Sequence, residues 1–165
     1  MDRPSVICHI LQSIDGKIAG PFFGVPGVAS LAGVYGRLGE TFEADAVAYG
    51  TTTLDEIFTH GSYLFAGADH LDLTLALEKL TWYYGIKRLL LQGGGLVDGS
   101  FANEDLVDEL SLVVAPAIDC GSSQPTAFET GDFLGGPITP VAYRLKEVER
   151  LEGDGLWMRY ERRER

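Results

Sequence analysis

The stretch KRLLLQGGGLVDGS, residues 87–100, places an apolar run directly before three consecutive glycines. The first six residues predict a strand whose three leucines make both of its faces hydrophobic, which is typical of a strand in the middle of a sheet covered by helices. A helix is predicted from about Leu96 to Leu106. Glycines at such a junction let the backbone approach a ligand closely, and the helix N-terminus offers free N–H groups to a phosphate. Two interpretations stay open: a phosphate-binding turn, or a tight turn that binds nothing.

Strands and helices alternate on both sides of this stretch. Further strands are predicted at 6–12, 44–50, 62–67 and 108–118. Further helices are predicted at 30–43, capped by Ser30, within 51–58, and from Asp69 or Asp72 to Gly85, while 21–30 reads as a loop. Two-residue periodicity over 143–151 and 155–163 indicates antiparallel edge strands. The order predicts an α/β fold in three layers, with a mostly parallel central sheet, an antiparallel C-terminal edge and helices on both faces.

Composition narrows the function classes. The chain has 165 residues, which suits one domain, and a formal net charge of −11, which argues against a nucleic-acid partner. No apolar run approaches the roughly 20 residues that span a bilayer, and the N-terminus has no leader pattern, so we expect a cytoplasmic protein. Cys8 and Cys120 belong to no metal-binding motif, and we expect no metal.

Two more stretches carry polar groups where α/β sheets place ligands. In QSIDGK (12–17), Lys17 is a candidate for neutralising a substrate phosphate and Asp15 for hydrogen bonding, with Ser13 beside them; an ordinary Asp-Gly turn is the alternative. In YGTTTLDE (49–56), a threonine at a helix start faces a phosphate or merely caps the helix. His9, inside the first predicted strand, is expected to be structural.

Taken together, LQSIDGKIAG, ADAVAYGTTTLDE and LLLQGGGLVDGSF…LVDELSLVVAPAIDCG resemble the reductase domain of the riboflavin-biosynthesis deaminase-reductases. The resemblance implies a dihydrofolate-reductase-like fold over a single domain, 1–165, and a homodimer. It also implies NADPH-dependent reduction of the ribosyl group of a phosphoribosylamino-pyrimidine. Three alternatives remain: a dihydrofolate-reductase-like reaction, which needs a carboxylate from Glu40 or Glu43, another small-carbonyl or heterocycle reductase, and a nucleotide-binding module without turnover.

Site residues follow from the same resemblance. It assigns cofactor binding to Gly50, Thr51, Thr53, Gly93, Gly94, Gly95, Leu96 and Val97. It places Ser13, Asp15 and Lys17 beside the nicotinamide and the substrate, with Asp15 and Lys17 as the catalytic pair.

The chain departs from the family pattern at three points. Thr51 stands where relatives often carry arginine, which leaves NADH as an alternative cofactor, and Gln92 stands where many carry glutamate. A segment between about 58 and 62 is missing relative to the family. The deaminase half is also absent, which predicts a free-standing reductase domain.

Overall fold

The computed structural model describes residues 2–50, 66, 71–131 and 140–163. These residues form six strands and three α-helices: β1 (Ser5–Gln12), α1 (Val28–Glu40), β2 (Ala46–Ala48), α2 (Leu73–Tyr84), β3 (Arg88–Leu91), α3 (Gly95–Asn103), β4 (Glu109–Val114), β5 (Tyr143–Arg150) and β6 (Leu156–Arg162). Short 3-10 helices cover Pro21–Gly24 and Glu152–Asp154. The strand predicted at 62–67, the helix predicted within 51–58 and the segment expected to be missing lie outside the described residues.

The six strands form one sheet in the order β2-β3-β1-β4-β6-β5. β1 pairs in parallel with β3 and β4, and β2 pairs in parallel with β3. β6 pairs antiparallel with both β4 and β5. The predicted parallel centre with an antiparallel C-terminal edge is therefore confirmed. Because β6 lies between β4 and β5, the outer C-terminal strand of the described sheet is β5.

Alternation along β1 divides the core into two layers of side chains. Val6, Cys8 and Ile10 pack on one face with residues of α2 and α3, whereas Ile7 and Leu11 pack on the other with residues of α1. Successive strand residues point to opposite faces, so one apolar strand feeds both layers. The helices thus cover both faces of the sheet, as predicted.

The ends of α2 are set by a capping side chain and a glycine in the left-handed conformation. α2 was expected to be capped by Asp69 or Asp72, and Asp72 is the cap, because its Oδ1 accepts the Leu75 N–H at 2.8 Å. Gly85 ends that helix in the left-handed conformation at φ 68°, as predicted.

The predicted start of α1 at Ser30 is wrong, as is its predicted end at Glu43. The helix begins at Val28 behind Gly27, whose φ of 91° makes the sharp entry, and Ser30 bonds back to the Gly27 carbonyl from inside the first turn. It ends at Glu40. The segment read as a loop holds Phe22, which is buried in the core and organises a 3-10 turn.

Candidate functional site

A cavity of about 640 Å³ opens where β1, β2 and β3 end. Ligands of open α/β sheets commonly bind at the carboxyl ends of parallel strands. The described residues that line the cavity are mainly apolar side chains and glycines, and four of them are polar: His9, Tyr35, Gln92 and Glu129. The remaining lining residues are Ile10, Leu11, Ile18, Ala19, Phe23, Ala32, Gly50, Gly93, Gly94, Gly95, Leu96, Val97 and Pro125.

The glycine run (Gly93, Gly94 and Gly95) forms one wall and opens α3, with Gly94 as the N-cap. The first N–H groups of a helix have no acceptor within the helix. Among the described residues, the N–H groups of Gly94, Gly95 and Leu96 are not paired with any acceptor. Three adjacent donors at the positive end of a helix dipole therefore border the cavity, an arrangement suited to an anion.

The three glycines differ in the space around them. A methyl group added at Gly93 would lie 2.6 Å from Val97 Cβ, so this position makes the turn tight. A methyl group at Gly95 would lie 2.1 Å from the Thr126 carbonyl oxygen, so this position admits the neighbouring segment. At Gly94 a methyl group meets no atom within 4 Å, so the free space there faces the cavity. The tight turn and the open cradle are thus both present.

Gly50, at the end of β2, faces the run. It is buried, and a methyl group there would lie 3.4 Å from the Gly94 nitrogen and from a Val97 methyl. The structure therefore brings together all the described members of the predicted cofactor set. Thr51 and Thr53, predicted for the same set, lie outside the described residues.

The turn after β1 uses its polar groups internally. Ser13 is fully buried and donates to Asp15 Oδ1 at 2.6 Å, while its Oγ accepts the Lys17 N–H at 2.9 Å. Asp15 also accepts the N–H groups of Asp119 and Cys120, at 3.0 and 3.1 Å. The hydrogen bond from Ser13, followed by that from the Asp119 N–H, lowers the pKa of Asp15 to about 2.

Lys17 extends from the same turn. Its ammonium group donates to the Gln124 carbonyl oxygen at 3.1 Å. Ile18, the next residue, lines the cavity, whereas Ser13, Asp15 and Lys17 do not. The substrate-binding and catalytic roles predicted for these three residues stay predictions.

Sequence reasoning missed a polar chain at the cavity wall. The Tyr35 hydroxyl donates to the His9 carbonyl at 2.9 Å, so its oxygen accepts from Gln92 Nε2, also at 2.9 Å. Tyr49 donates to Gln92 Oε1 at 3.0 Å. Since a carbonyl can only accept, these contacts fix the orientation of the Gln92 amide. Tyr35 lies on α1 at apolar spacing, which gave no reason to single it out.

His9 has the structural role expected of it. It is fully buried and stacks on Tyr35 with ring centroids 4.2 Å apart. Its Nε2 donates to the Tyr35 carbonyl at 2.9 Å, and its Nδ1 accepts from Ser111, which in turn accepts from Trp157. Burial lowers the pKa of His9, so the ring is neutral.

Among the described residues, the carboxylate that lines the cavity is that of Glu129, and neither Glu40 nor Glu43 takes this place. Glu40 and Glu43 are exposed and do not line the cavity. Glu129 Oε1 accepts the Thr126 N–H at 2.7 Å, and the Glu129 N–H donates to the Gly95 carbonyl at 2.8 Å. Its position could not be read from the sequence, because it approaches the glycine run only through tertiary packing.

The described residues contain no helix with the length and hydrophobicity that crossing a bilayer requires. Within the same residues, no three or more histidine, cysteine, aspartate or glutamate side chains are grouped so that they could bind a metal ion.

Known proteins resemble this chain in sequence. It is 30% identical over 97 residues to the 2,5-diamino-6-ribosylamino-4(3H)-pyrimidinone 5′-phosphate reductase of Archaeoglobus fulgidus, covering 58% of this chain and 41% of that protein. It is 31% identical over 105 residues to the reductase of the same name from Methanothermobacter thermautotrophicus, covering 64% and 47%. The chain thus spans less than half the length of these curated relatives.

The fold matches as well. RibD of Acinetobacter baumannii superposes with a TM-score of 0.68 at 18% identity, over 98% of this chain and 58% of that one, which shows the dihydrofolate-reductase-like fold. The family model of the RibD C-terminal domain matches residues 39–156, from the end of α1 to the start of β6. This match includes the glycine run and most of the strands around the cavity, and the chain belongs to the RibD C-terminal domain family.

Proposed function

We propose that this chain is an NADPH-dependent reductase of riboflavin biosynthesis, which reduces the ribosyl group of a phosphoribosylamino-pyrimidine. The observation that carries the proposal is the row of N–H groups at Gly94, Gly95 and Leu96, which have no acceptor in the described part of the chain, on the wall of a cavity of about 640 Å³. The family and the names of the two archaeal relatives support the substrate class.

The glycine run fits the pyrophosphate of a dinucleotide. Backbone N–H groups at a helix N-terminus bind phosphate oxygens without a side-chain cation. The space at Gly94 that any side chain would fill is the space such a group needs. NADPH supplies the hydride when bound, and the protein contributes binding, orientation and exclusion of water.

The polar chain at the cavity wall suits a neutral heterocycle. Gln92 uses one N–H toward Tyr35 and one acceptor site toward Tyr49, which leaves one donor and one acceptor. A nicotinamide carboxamide and the lactam edge of a pyrimidinone each present the complementary pair. Because its partners hold the Gln92 amide, this wall is ordered before a ligand arrives.

The turn after β1 is the proposed substrate side. The Lys17 ammonium has three donors, one of which goes to the Gln124 carbonyl, so two remain for a substrate phosphate. Asp15 is held as an anion by Ser13 and two backbone N–H groups. We assign Lys17 and Asp15 to orienting the substrate against the nicotinamide, with Ser13 fixing the turn.

The proposed assembly is a homodimer in which β5 meets a second copy. β5 is an outer strand of the described sheet, and Leu145 and Val148 on it are 51% and 50% exposed. Unpaired strand edges with apolar side chains readily pair with another chain. Light scattering after size exclusion tests this assembly: Val148→Lys is expected to convert a dimer to a monomer, and a monomeric wild type overturns it.

Steady-state oxidation of NADPH with 2,5-diamino-6-ribosylamino-4(3H)-pyrimidinone 5′-phosphate tests the function. Wild type is expected to turn over, with NADPH preferred to NADH, and Gly94→Val is expected to be inactive while remaining folded. Tight binding of NADPH without turnover on this substrate or any other carbonyl would assign a nucleotide-binding module instead.

A further inference from the structure

A carboxyl group lies directly beneath the glycine run. Asp98 is in the first turn of α3 and is fully buried. Its Oδ1 accepts the Gly93 N–H at 3.2 Å, and its Oδ2 has no hydrogen-bond partner within the described residues. Both oxygens of a buried carboxylate normally accept hydrogen bonds. With one oxygen lacking a partner, a negative charge on Asp98 is less well compensated than usual.

The groups around Asp98 do not neutralise it. The Cys8 thiol of β1 lies beside the carboxyl, Tyr35 of α1 lies farther away, and Glu129 packs on the outer side of α3. None of the ion pairs in the described part of the chain includes Asp98. Burial raises the pKa of Asp98 to about 8, against the opposing effects of the Gly93 hydrogen bond and of the Cys8 thiol.

The N–H groups of the glycine run face two sides, Asp98 and the cavity. The Gly93 N–H points inward to Asp98, whereas the next three N–H groups border the cavity and have no acceptor within residues 2–50, 66, 71–131 and 140–163. A Cβ at Gly93 would approach Asp98 Oδ1 to 3.0 Å, so the turn and the carboxyl are in close contact. Asp98 is therefore placed to set which N–H groups a ligand meets.

We propose that Asp98 is a positioning residue for anion binding at the glycine run: its carboxyl holds the Gly93 N–H inward, and the anion binds to the form in which that carboxyl is protonated. The inference rests on the proposed function for the identity of the anion. An ionised carboxylate beneath the run opposes a second negative charge above it. A protonated carboxyl still accepts the Gly93 N–H through one oxygen, while the other carries the proton.

Binding of NADPH between pH 7 and 9 tests this coupling, since the 2′-phosphate, with a pKa of about 6, is ionised over most of that range. For wild type, the Kd is expected to rise with pH above about 8, approaching tenfold per unit. Asp98→Asn keeps the acceptor and the shape but carries no charge, so its Kd is expected to be flat with pH. Glu40→Gln, which removes an exposed charge on α1, serves as the control and should retain the wild-type slope. An Asp98→Asn variant with the wild-type slope overturns the proposal.

A second measurement needs no nucleotide. The Gly93 amide signal in ¹⁵N-labelled protein is expected to titrate between pH 6 and 9 in wild type and to stay fixed in Asp98→Asn. A wild type that binds no NADPH at any pH would end the proposed function, but the Gly93 titration would still decide whether Asp98 changes its charge under the run. A fixed Gly93 signal in wild type overturns the inference even where NADPH binds.

Discussion

Two turns at the carboxyl ends of neighbouring strands use their polar groups in opposite ways. The turn after β3 leaves the N–H groups of Gly94, Gly95 and Leu96 beside the cavity with no acceptor among the described residues. The turn after β1 joins Ser13, Asp15 and the 119–120 backbone in a closed set of hydrogen bonds. The same position in the fold thus gives a wall with free donors in one place and a structural brace in the other, and Lys17 extends from the brace with its ammonium group on the Gln124 carbonyl.

The largest effect is expected from a substitution in the open turn after β3. Gly94→Val places a side chain in free space at a φ of −70°, which any residue adopts. We expect NADPH to bind at least about 100-fold more weakly, or about 2.8 kcal/mol, with the thermal midpoint unchanged. Fluorescence titration measures the first and calorimetry the second. Gly36→Val, on the open side of α1, is the matched control. Unchanged affinity in Gly94→Val would move the cofactor site elsewhere.

The next largest effect is on stability, and it distinguishes glycines of the α3 region that are needed for packing from the one proposed to bind the ligand. A methyl group at Gly99 would lie 1.8 Å from the Glu129 carbonyl oxygen. Gly99→Ala is therefore expected to lower the free energy of unfolding by about 1–3 kcal/mol, as overpacking does. Urea denaturation measures the loss, with Gly94→Ala as the control that leaves stability nearly unchanged. Equal stability of the two variants would contradict the division of roles among the glycines.

A smaller effect is expected from substitution of Lys17, whose side chain extends from the turn after β1. Lys17→Ala is expected to raise the KM for the phosphorylated substrate about tenfold, or about 1.4 kcal/mol, because a phosphate loses one cationic partner. The Kd for NADPH should not change. Initial rates at varied substrate and a separate NADPH titration give the two constants. A changed Kd with an unchanged KM would place Lys17 on the cofactor side.

The smallest effect concerns the brace itself. Hydrogen bonding lowers the pKa of Asp15 to about 2 from 3.8, so its ionised form stabilises the fold above pH 4, and this contribution is lost as the pH falls through about 2. Asp15→Asn should therefore be slightly less stable than wild type at pH 6, with the gap closing toward pH 2. Thermal midpoints across this range measure the gap, and the exposed Asp2→Asn is the control. A gap independent of pH would mean that the Asp15 charge has no part in the brace.

Much of this arrangement could be predicted from local patterns. Apolar runs and two-residue periodicity predicted the strands, and Gly85 and Asp72 marked the ends of α2, because these signals act within a few residues. The placement of the glycine run at a strand end and a helix start followed in the same way.

Other features depend on distant contacts. Glu129 and Tyr35 reach the cavity only through tertiary packing, and the burial of Phe22 shapes a segment that reads as a loop. Asp15 accepts its two backbone hydrogen bonds from residues more than 100 positions away. No local pattern shows whether a polar group is already paired, and this decides which turn holds a ligand.

Amide chemical shifts during a titration of ¹⁵N-labelled protein with NADPH test the central contrast most directly. The amides of Gly94, Gly95 and Leu96 are expected to move most, because their N–H groups gain acceptors. Those of Asp119 and Cys120, already bonded to Asp15, should move little. Saturable binding that shifts the β1 turn and its partners while leaving the glycine run unchanged would contradict the account.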